Sequence, residues 1–357
     1  EKAIKPLLEI LNNKRIYFGS AVALSLGDMG SEEAVRPLID CLKVKKEYFF
    51  SDEIAPMDRK IIVEALCRIG QPAIDNLMKA VGDRDKNTAI GAIEALSRIG
   101  EPVVIPAIER LNHWNPHTRQ QAIDILSGIG EPAVADLVKA FGQDAWFVRQ
   151  GALEAITDMK LPFHGDYIEP ILKALSDNSI EVRWRAALVL SQIPNKDTRI
   201  VPALTELLSD ESVKVRCAAV MALGNMKDGR AVKSLISALD DPELIVVRKA
   251  VMALGEIGDP HAISVIVKTA NKYSNRSKEV RGACFIALEK LAAQWSGEGL
   301  VTMVKGDSDL VVQQRAAIIL GKIGNPGAVK ALQEVMNSSE THIGVKLCAA
   351  RALRLIK

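Results

Sequence analysis

Residues 209–216 have the sequence SDESVKVR, and residues 176–183 have the sequence SDNSIEVR. The two segments are identical at five of eight positions, and each is followed by an Ala-rich stretch with apolar residues at helical spacing. Ser, Asp and Asn before such a stretch predict a helix start, because their side chains accept hydrogen bonds from the free N–H groups of the first turn. A motif that returns after about 30 residues indicates a repeat protein.

A second signal marks the end of each repeat. Glycine at the end of an apolar helical stretch favours the left-handed conformation that terminates a helix. Proline often follows within two residues, where it opens the next helix because the N–H group that it lacks would be unpaired there anyway. The closing pairs are Met29-Gly30, Ile69-Gly70, Ile99-Gly100, Ile129-Gly130, Ile257-Gly258 and Ile323-Gly324.

These signals predict an all-α fold, a right-handed α-α superhelix of about eleven repeats, each with a helix A and a helix B. One pair of short amphipathic helices cannot bury its apolar face alone, so the repeats must stack. No low-complexity linker interrupts them, and we therefore predict one continuous solenoid over residues 1–357. The predicted repeats are 1–30, 31–70, 71–100, 101–130, 131–161, 162–194, 195–226, 227–258, 259–294, 295–324 and 325–357.

The whole pattern resembles HEAT repeats, and the spacing of about 31 residues resembles the type named after phycobilisome lyases. In HEAT families an arginine of helix B and an aspartate of the turn form a structural ladder between repeats, and the resemblance implies this role for two sets of residues here. The arginines are Arg59, Arg119, Arg149, Arg183, Arg216, Arg248 and Arg281, and the acids are Asp144, Asp177, Asp210 and Asp241. Ala89 and Gln313 depart from the pattern in the third and tenth repeats.

Aromatic side chains are few, at 4% of the chain, yet several fall in or next to the turn between helix A and helix B. Equivalent turns of a solenoid share one edge, so these rings form either a partner-binding ridge or separate packing contacts in the grooves between repeats. They are Tyr48, Phe49, Phe50, Trp114, Trp146, Phe147 and Trp184.

The concave face of a solenoid is lined by its B helices, and this face is the first candidate for a binding surface. Helical phase predicts a lining of mixed charge, which suits a protein partner better than a polyanion. The predicted lining residues are Lys60, Glu64, Glu94, Asp124, Gln150, Glu154, Arg185, Met221 and Lys249. We therefore expect a non-catalytic scaffold whose protein or peptide partner binds the concave face or the aromatic turn edge.

Two other functions stay open. The resemblance implies a chromophore lyase or chaperone like the phycobilin lyases, or a nucleic-acid-binding protein like the HEAT-like glycosylases. The formal net charge of +2 argues against nucleic acid, because such partners require clustered Lys and Arg. No HExxH, CxxC, Walker A or Gly-x-Ser-x-Gly motif occurs, so we expect no metal, no cofactor and no catalysis.

The five cysteines form no CxxC pair, which indicates a reducing compartment, and we expect a cytoplasmic protein without membrane spans. The sequence starts at Glu1 rather than Met, and its last helix has an apolar stripe without a polar cap. This end points to a longer chain or to contact with another domain.

Overall fold

The computed structural model describes residues 2–12, 19–43, 58–159, 167–193, 197–273, 276–291, 298–306 and 310–356. Within these ranges there are 22 α-helices and no β-strand. Consecutive helices pack as pairs, so the described residues form eleven two-helix repeats and confirm the predicted all-α superhelix. None of these helices is long and apolar enough to cross a membrane.

The repeats fall into two compact units, Glu1–Leu161 and Pro162–Lys357, which we call unit 1 and unit 2. The prediction of one continuous solenoid over residues 1–357 stays a prediction. Unit 1 holds five repeats, whose odd-numbered helices are A helices and whose even-numbered helices are B helices. They are α1 (Ile4–Asn12), α2 (Gly19–Asp28), α3 (Val35–Cys41), α4 (Arg59–Ile69), α5 (Ile74–Ala80), α6 (Lys86–Ile99), α7 (Val104–Leu111), α8 (Pro116–Ile129), α9 (Val134–Ala140) and α10 (Trp146–Met159).

Unit 2 holds six repeats of the same design. Its helices are α11 (Ile168–Ala174), α12 (Ile180–Gln192), α13 (Ile200–Glu206), α14 (Val213–Met226), α15 (Val232–Ser237), α16 (Leu244–Ile257), α17 (Ile263–Lys272), α18 (Lys278–Leu291), α19 (Glu298–Gly306), α20 (Leu310–Ile323), α21 (Pro326–Asn337) and α22 (Ile343–Leu355). In several repeats a single turn of 3-10 helix precedes helix A, as at Gly229–Ala231.

Each helix B ends where the sequence predicts. All six glycines of the closing pairs have a positive φ, between 63° and 83°. This conformation is easy for glycine and strained for residues with a side chain. Lys227 takes the equivalent position after α14 with a φ of 52°, and it is the one non-glycine residue with positive φ among the described residues.

The core of each unit lies between the A and B helices and is built from small aliphatic residues. Every internal helix B has a completely buried Leu or Ile near its C-terminal end, for example Leu66, Leu223 and Leu254. Within each unit, B helices of neighbouring repeats contact each other more extensively than neighbouring A helices do, except for α18 and α20, which touch only slightly. The B helices are therefore on the more tightly packed, inner side of each stack.

Where B helices pack closely, a small residue follows this buried leucine; in α18 the residue there is Glu289, and α18 touches α20 only slightly. A Cβ atom added to Gly224 would lie 2.7 Å from the Cβ of Ala253, and one added to Gly255 would lie 2.8 Å from the Cα of Ala287. Cys67 and Ser97 occupy the same position in unit 1 and donate to carbonyl oxygens of the next helix B. The side chain at this position therefore sets how near two repeats approach.

Candidate functional site

Two arginines of unit 2 join neighbouring repeats with the same geometry. Arg183 donates from Nε and Nη2 to the carboxylate of Asp210, at 2.7 and 3.0 Å. Arg216 makes the same two bonds to Asp241, also at 2.7 and 3.0 Å. These bidentate pairs are largely buried, and the hydrogen bonds to the carboxylates raise the pKa of both guanidinium groups. Each arginine therefore remains charged inside the boundary between two repeats.

The same arginines also brace their own turns. Arg183 Nη1 donates to the carbonyls of Asp177 and Asn178, and Arg216 Nη1 donates to those of Asp210 and Glu211. Asp210 in turn accepts a 2.8 Å bond from the backbone N–H of Ser212. One aspartate thus shapes its own turn and binds the arginine of the preceding repeat.

The turns of unit 1 have the same contacts from arginine to backbone carbonyls, but Arg119 differs in its contact with the next repeat. Arg119 donates to the carbonyls of His113 and Trp114, and Arg149 donates to those of Gln143 and Asp144. Arg119 makes no ion pair with Asp144; its guanidinium group lies 5.2 Å from the centre of the Phe147 ring. The predicted arginine–aspartate contact is therefore wrong for Arg119, because an aromatic ring of the next repeat occupies the contact.

The remaining predicted ladder arginines are less uniform. Arg281 is buried, Arg248 is half-buried, and Arg59 lies 3.4 Å from Glu94 of the next repeat. Arg59 and Glu94 are both on B helices, so this pair joins two repeats at the inner side instead of at the turn.

The predicted aromatic residues do not share one environment. Trp114 is 82% exposed and Trp146 is 43% exposed, whereas Phe147 is half-buried. Trp146 and Phe147 contact each other edge to face, with ring centres 5.8 Å apart. In unit 1 these rings therefore present two open indoles on the turn edge. Tyr48, Phe49 and Phe50 lie outside the described residues.

Trp184 in unit 2 is held inside a contact between repeats. Its indole Nε1 donates to Glu181 at 2.7 Å, and Lys214 of the next repeat bonds the same carboxylate. The guanidinium group of Arg185 and the Nζ atom of Lys214 lie 4.2 and 4.3 Å from the indole ring. Trp184 thus makes packing and cation–π contacts between repeats. For this ring the structure agrees with separate packing contacts rather than with a partner-binding ridge.

The inner side of the B helices carries one regular feature, which we call the inner row. It consists of the residue two positions before the buried Leu or Ile near the end of each helix B. Residues three or four positions before or after it lie on the same face of the helix. In unit 1 the inner row is Leu24, Glu64, Glu94, Asp124 and Glu154; in unit 2 it is Leu188, Met221, Met252, Ile286, Ile318 and Arg351.

Unit 1 therefore has four successive carboxylates in its inner row. Glu64 pairs with Arg68 of its own helix and with Arg98 of the next repeat, and these two hydrogen bonds lower its pKa. Asp124 accepts a 3.0 Å bond from Gln120. The acids of this row are thus tied to neighbouring side chains on the same surface.

Unit 2 has aliphatic side chains at the same positions. Met221, Met252, Ile286 and Ile318 are 40%, 46%, 44% and 42% exposed, in four successive repeats. The sequence prediction included Met221, Arg185 and Lys249 but missed the other three apolar residues. They could have been found by counting two residues back from each Leu of the closing motif.

Lys249 links two members of the inner row in unit 2. Its Nζ atom lies 3.0 Å from the thioether sulfur of Met221, and on its own helix it precedes Met252 by three residues. The predicted residues Met221 and Lys249 therefore do come together, and Arg185 holds the corresponding position before Leu188.

Two fully or partly buried thiols among the described residues are held in the protonated form. Burial raises the pKa of the Cys284 thiol to about 12 and that of Cys67 to about 11. Among the residues that the structure describes, no three His, Cys, Asp or Glu side chains lie close enough together to hold a metal ion.

The fold and these surfaces define a class, that of helical-repeat solenoids. Two family models match the sequence: one for HEAT repeats over residues 50–112 and 168–251, and one for the PBS lyase HEAT-like repeat over residues 20–43 and 246–271. Together they cover more than half of the chain. The protein belongs to the HEAT-repeat family.

Solved structures with a similar fold include two large solenoids. Kap95p in a structure with RanGDP is 13% identical with a TM-score of 0.56, over 99% of this chain and 57% of that chain. Importin beta is 14% identical with a TM-score of 0.51, over 95% of this chain and 54% of that chain. These likenesses show the fold.

A further similar structure is the complex of CpcE and CpcF of phycocyanin lyase from Nostoc. It is 24% identical with a TM-score of 0.40, over 62% of this chain and 86% of that chain. No curated protein sequence matches the chain.

Proposed function

We propose that this HEAT-repeat protein is a non-catalytic scaffold that binds a protein partner on the inner side of its B helices. The observation that carries the proposal is the apolar inner row of unit 2. Met221, Met252, Ile286 and Ile318 each keep about two fifths of their surface open to water, at the same place in successive repeats.

A regular apolar row of this kind favours a macromolecular partner over a small molecule. Single exposed apolar side chains are common on protein surfaces, but four at the same place in successive repeats are a regular pattern, and clustered exposed apolar side chains mark interaction sites. The row runs from repeat to repeat, so it offers a long, shallow contact. Methionine adds adaptability, since its unbranched side chain fills irregular gaps against a partner.

The thiol chemistry supports a non-catalytic role. A cysteine nucleophile acts as the thiolate, and a pKa of about 11 or 12 leaves Cys67 and Cys284 almost fully protonated at neutral pH. No disulfide joins the five cysteines, which suits a reducing compartment, and we include a cytoplasmic location in the proposal.

The turn edge of unit 1 supports a second contact region for a protein partner. Trp114 is 82% exposed, while the backbone carbonyl groups of the same turn are held by Arg119. A large ring on a fixed turn loses little conformational freedom when a partner binds, and tryptophan is enriched among residues that dominate binding energy.

Site-specific crosslinking tests the proposal. We would place the photo-crosslinking amino acid p-benzoylphenylalanine at Met252, and in a control protein at Lys233, which is exposed on the A helix α15. After irradiation in a native lysate we expect discrete protein adducts from position 252 and none from position 233. Identical adducts from both positions, or none from position 252, would contradict binding at the inner side.

A further inference from the structure

The B helices of unit 2 are strongly basic, although the whole chain is nearly neutral. They carry 14 Lys and Arg against four Asp and Glu, whereas the A helices of the same unit carry six against four. The B helices of unit 1 carry seven against six. Among the helices, most of the excess positive charge is therefore on the B helices of unit 2.

The four acids on these B helices are already bonded. Glu181 binds Lys214, Glu256 binds Lys290, and Glu289 binds Lys322, while Glu279 accepts a bond from Ser277. Arg183 and Arg216 belong to the turn contacts and Arg281 is buried, so these three cations do not face a partner. Once these paired acids and buried or turn-bound arginines are set aside, the remaining charged side chains on the B helices of unit 2 are mostly Lys and Arg.

Lys249, Arg315 and Arg351 have no carboxylate within ion-pair distance among the described residues. Lys249 and Arg315 precede Met252 and Ile318 by three residues, one helical turn away on the same face. Arg351 takes the inner-row position itself in the last repeat. These cations therefore lie next to the apolar side chains.

From this arrangement we infer that the inner side of unit 2 binds an acidic protein segment that also carries regularly spaced aliphatic side chains. The inference rests on the proposed function and specifies the chemistry of the partner. Carboxylates of the segment pair with Lys249, Arg315 and Arg351, and its aliphatic groups pack on Met221, Met252, Ile286 and Ile318. Complementary charge of this kind selects the partner and speeds its association.

The repeat spacing sets the spacing within the segment. Packed helices lie about 8–10 Å apart, and an extended chain advances about 3.3 Å per residue. An aliphatic residue at every third position of an extended segment therefore meets one repeat after another. A nucleic acid fits less well, because aliphatic side chains would face its phosphates and would gain nothing from the contact.

The test uses the full chain and labelled peptides in fluorescence anisotropy. The probe is a peptide of five Leu-Glu-Glu triplets, and the matched peptides replace Leu with Ser or Glu with Lys. A single-stranded oligothymidylate of the same number of units serves as the polyanion. We expect the Leu-Glu-Glu peptide to bind at least about tenfold tighter than the other three.

Two double variants separate the inner side from general charge. The change Lys249→Glu with Arg315→Glu reverses the inner cations, and we expect it to weaken the Leu-Glu-Glu peptide about tenfold or more. The change Lys233→Glu with Lys268→Glu reverses two exposed cations on the A helices α15 and α17, and we expect no effect. Circular dichroism checks that all four substituted sites leave the helices intact.

The outcomes distinguish this inference from the proposed function. Preference for the Leu-Lys-Lys peptide would overturn the acidic partner but would leave the apolar inner side as a protein-binding surface. Equal binding of the Ser-Glu-Glu peptide, or tighter binding of oligothymidylate, would overturn both. Absence of binding by every probe, or an equal loss in the two double variants, would overturn the inference, while the crosslinking from Met252 would still test the proposed function.

Discussion

Arg183 donates two hydrogen bonds to Asp210, at 2.7 and 3.0 Å, across the boundary between two repeats of unit 2. Both side chains are about nine-tenths buried. A charge in such a place is tolerated only because a partner and further hydrogen bonds surround it. Removal of Asp210 leaves Arg183 with the exposed carboxylate of Glu211 and two backbone carbonyls as its remaining partners.

We therefore expect Asp210→Ala to lower the free energy of unfolding by about 3–5 kcal/mol, because it removes the buried carboxylate that accepts two hydrogen bonds from this buried guanidinium group. Glu211→Ala is the matched control, since Glu211 also contacts Arg183 but its side chain is 82% exposed. The control should cost less than about 1 kcal/mol. Urea unfolding followed by circular dichroism gives both values, and equal effects would show that the buried pair has no special role.

The close approach of B helices predicts opposite effects of two glycine substitutions. Gly224→Ala places a Cβ atom 2.7 Å from Ala253 and should destabilise the protein by about 1–3 kcal/mol. Gly282→Ala, within α18, meets no atom within 4 Å and should stabilise it by about 0.5–1 kcal/mol. Thermal unfolding of the two variants checks the signs, and stabilisation by both would contradict the tight contact at Gly224.

The buried thiols predict an unusual pH dependence of labelling. A thiol with an ordinary pKa of about 9 is half ionised at pH 9 and nears its full reactivity about one pH unit higher, whereas Cys284, with a pKa of about 12, should react faster with each unit of pH well beyond this point. Because the folded pKa is raised above the unfolded value, the folded state holds its proton longer, and stability should fall as pH rises from about 9. Iodoacetamide labelling followed by mass spectrometry, with unfolded protein as the control, measures the rates. A plateau for Cys284 about one pH unit above 9 in the folded protein, as for an ordinary thiol, would be inconsistent with its burial.

The two tryptophan environments predict a difference in stability. Trp114→Ala should change the free energy of unfolding by less than about 0.5 kcal/mol, because the ring is 82% exposed. Trp184→Ala removes an indole that bonds Glu181 and contacts two cations, and should cost about 1–3 kcal/mol. Chemical unfolding of both variants decides the point. A large loss of stability for Trp114→Ala would mean that this ring packs on the protein and is not exposed to solvent.

The repeat architecture could be predicted in detail because its signals are local. The closing glycines, the capping residues and the Val-Arg start of helix B each lie within a few residues of the feature that they determine. The contacts of Arg183 and Arg216 follow the family pattern for the same reason. The structure differs from the predicted ladder at Arg119, which contacts the Phe147 ring of the following repeat instead of an acid. No residue near Arg119 in the sequence indicates this difference.

The exposed surfaces were harder to predict because exposure depends on the neighbouring repeat. Trp114 and Trp184 both lie at the turn edge, yet Lys214 of the next repeat covers one ring, whereas the other is open. Ile286 and Ile318 look like core residues in the sequence, since every face of helix B is rich in aliphatic side chains. Only the packing of adjacent B helices shows that this one position stays at the surface.

The inner row has a consequence for how such a protein changes its preferences. Its residues are exposed or half-exposed, one per repeat, and they are distinct from the buried Leu or Ile two positions later in each internal repeat, so exchanges there leave the hydrophobic core intact. Glu94 and Met252 occupy the same place in their repeats with opposite chemistry. Substitutions in the inner row can therefore change the chemistry of this surface one repeat at a time, in evolution or by design, without a change of fold.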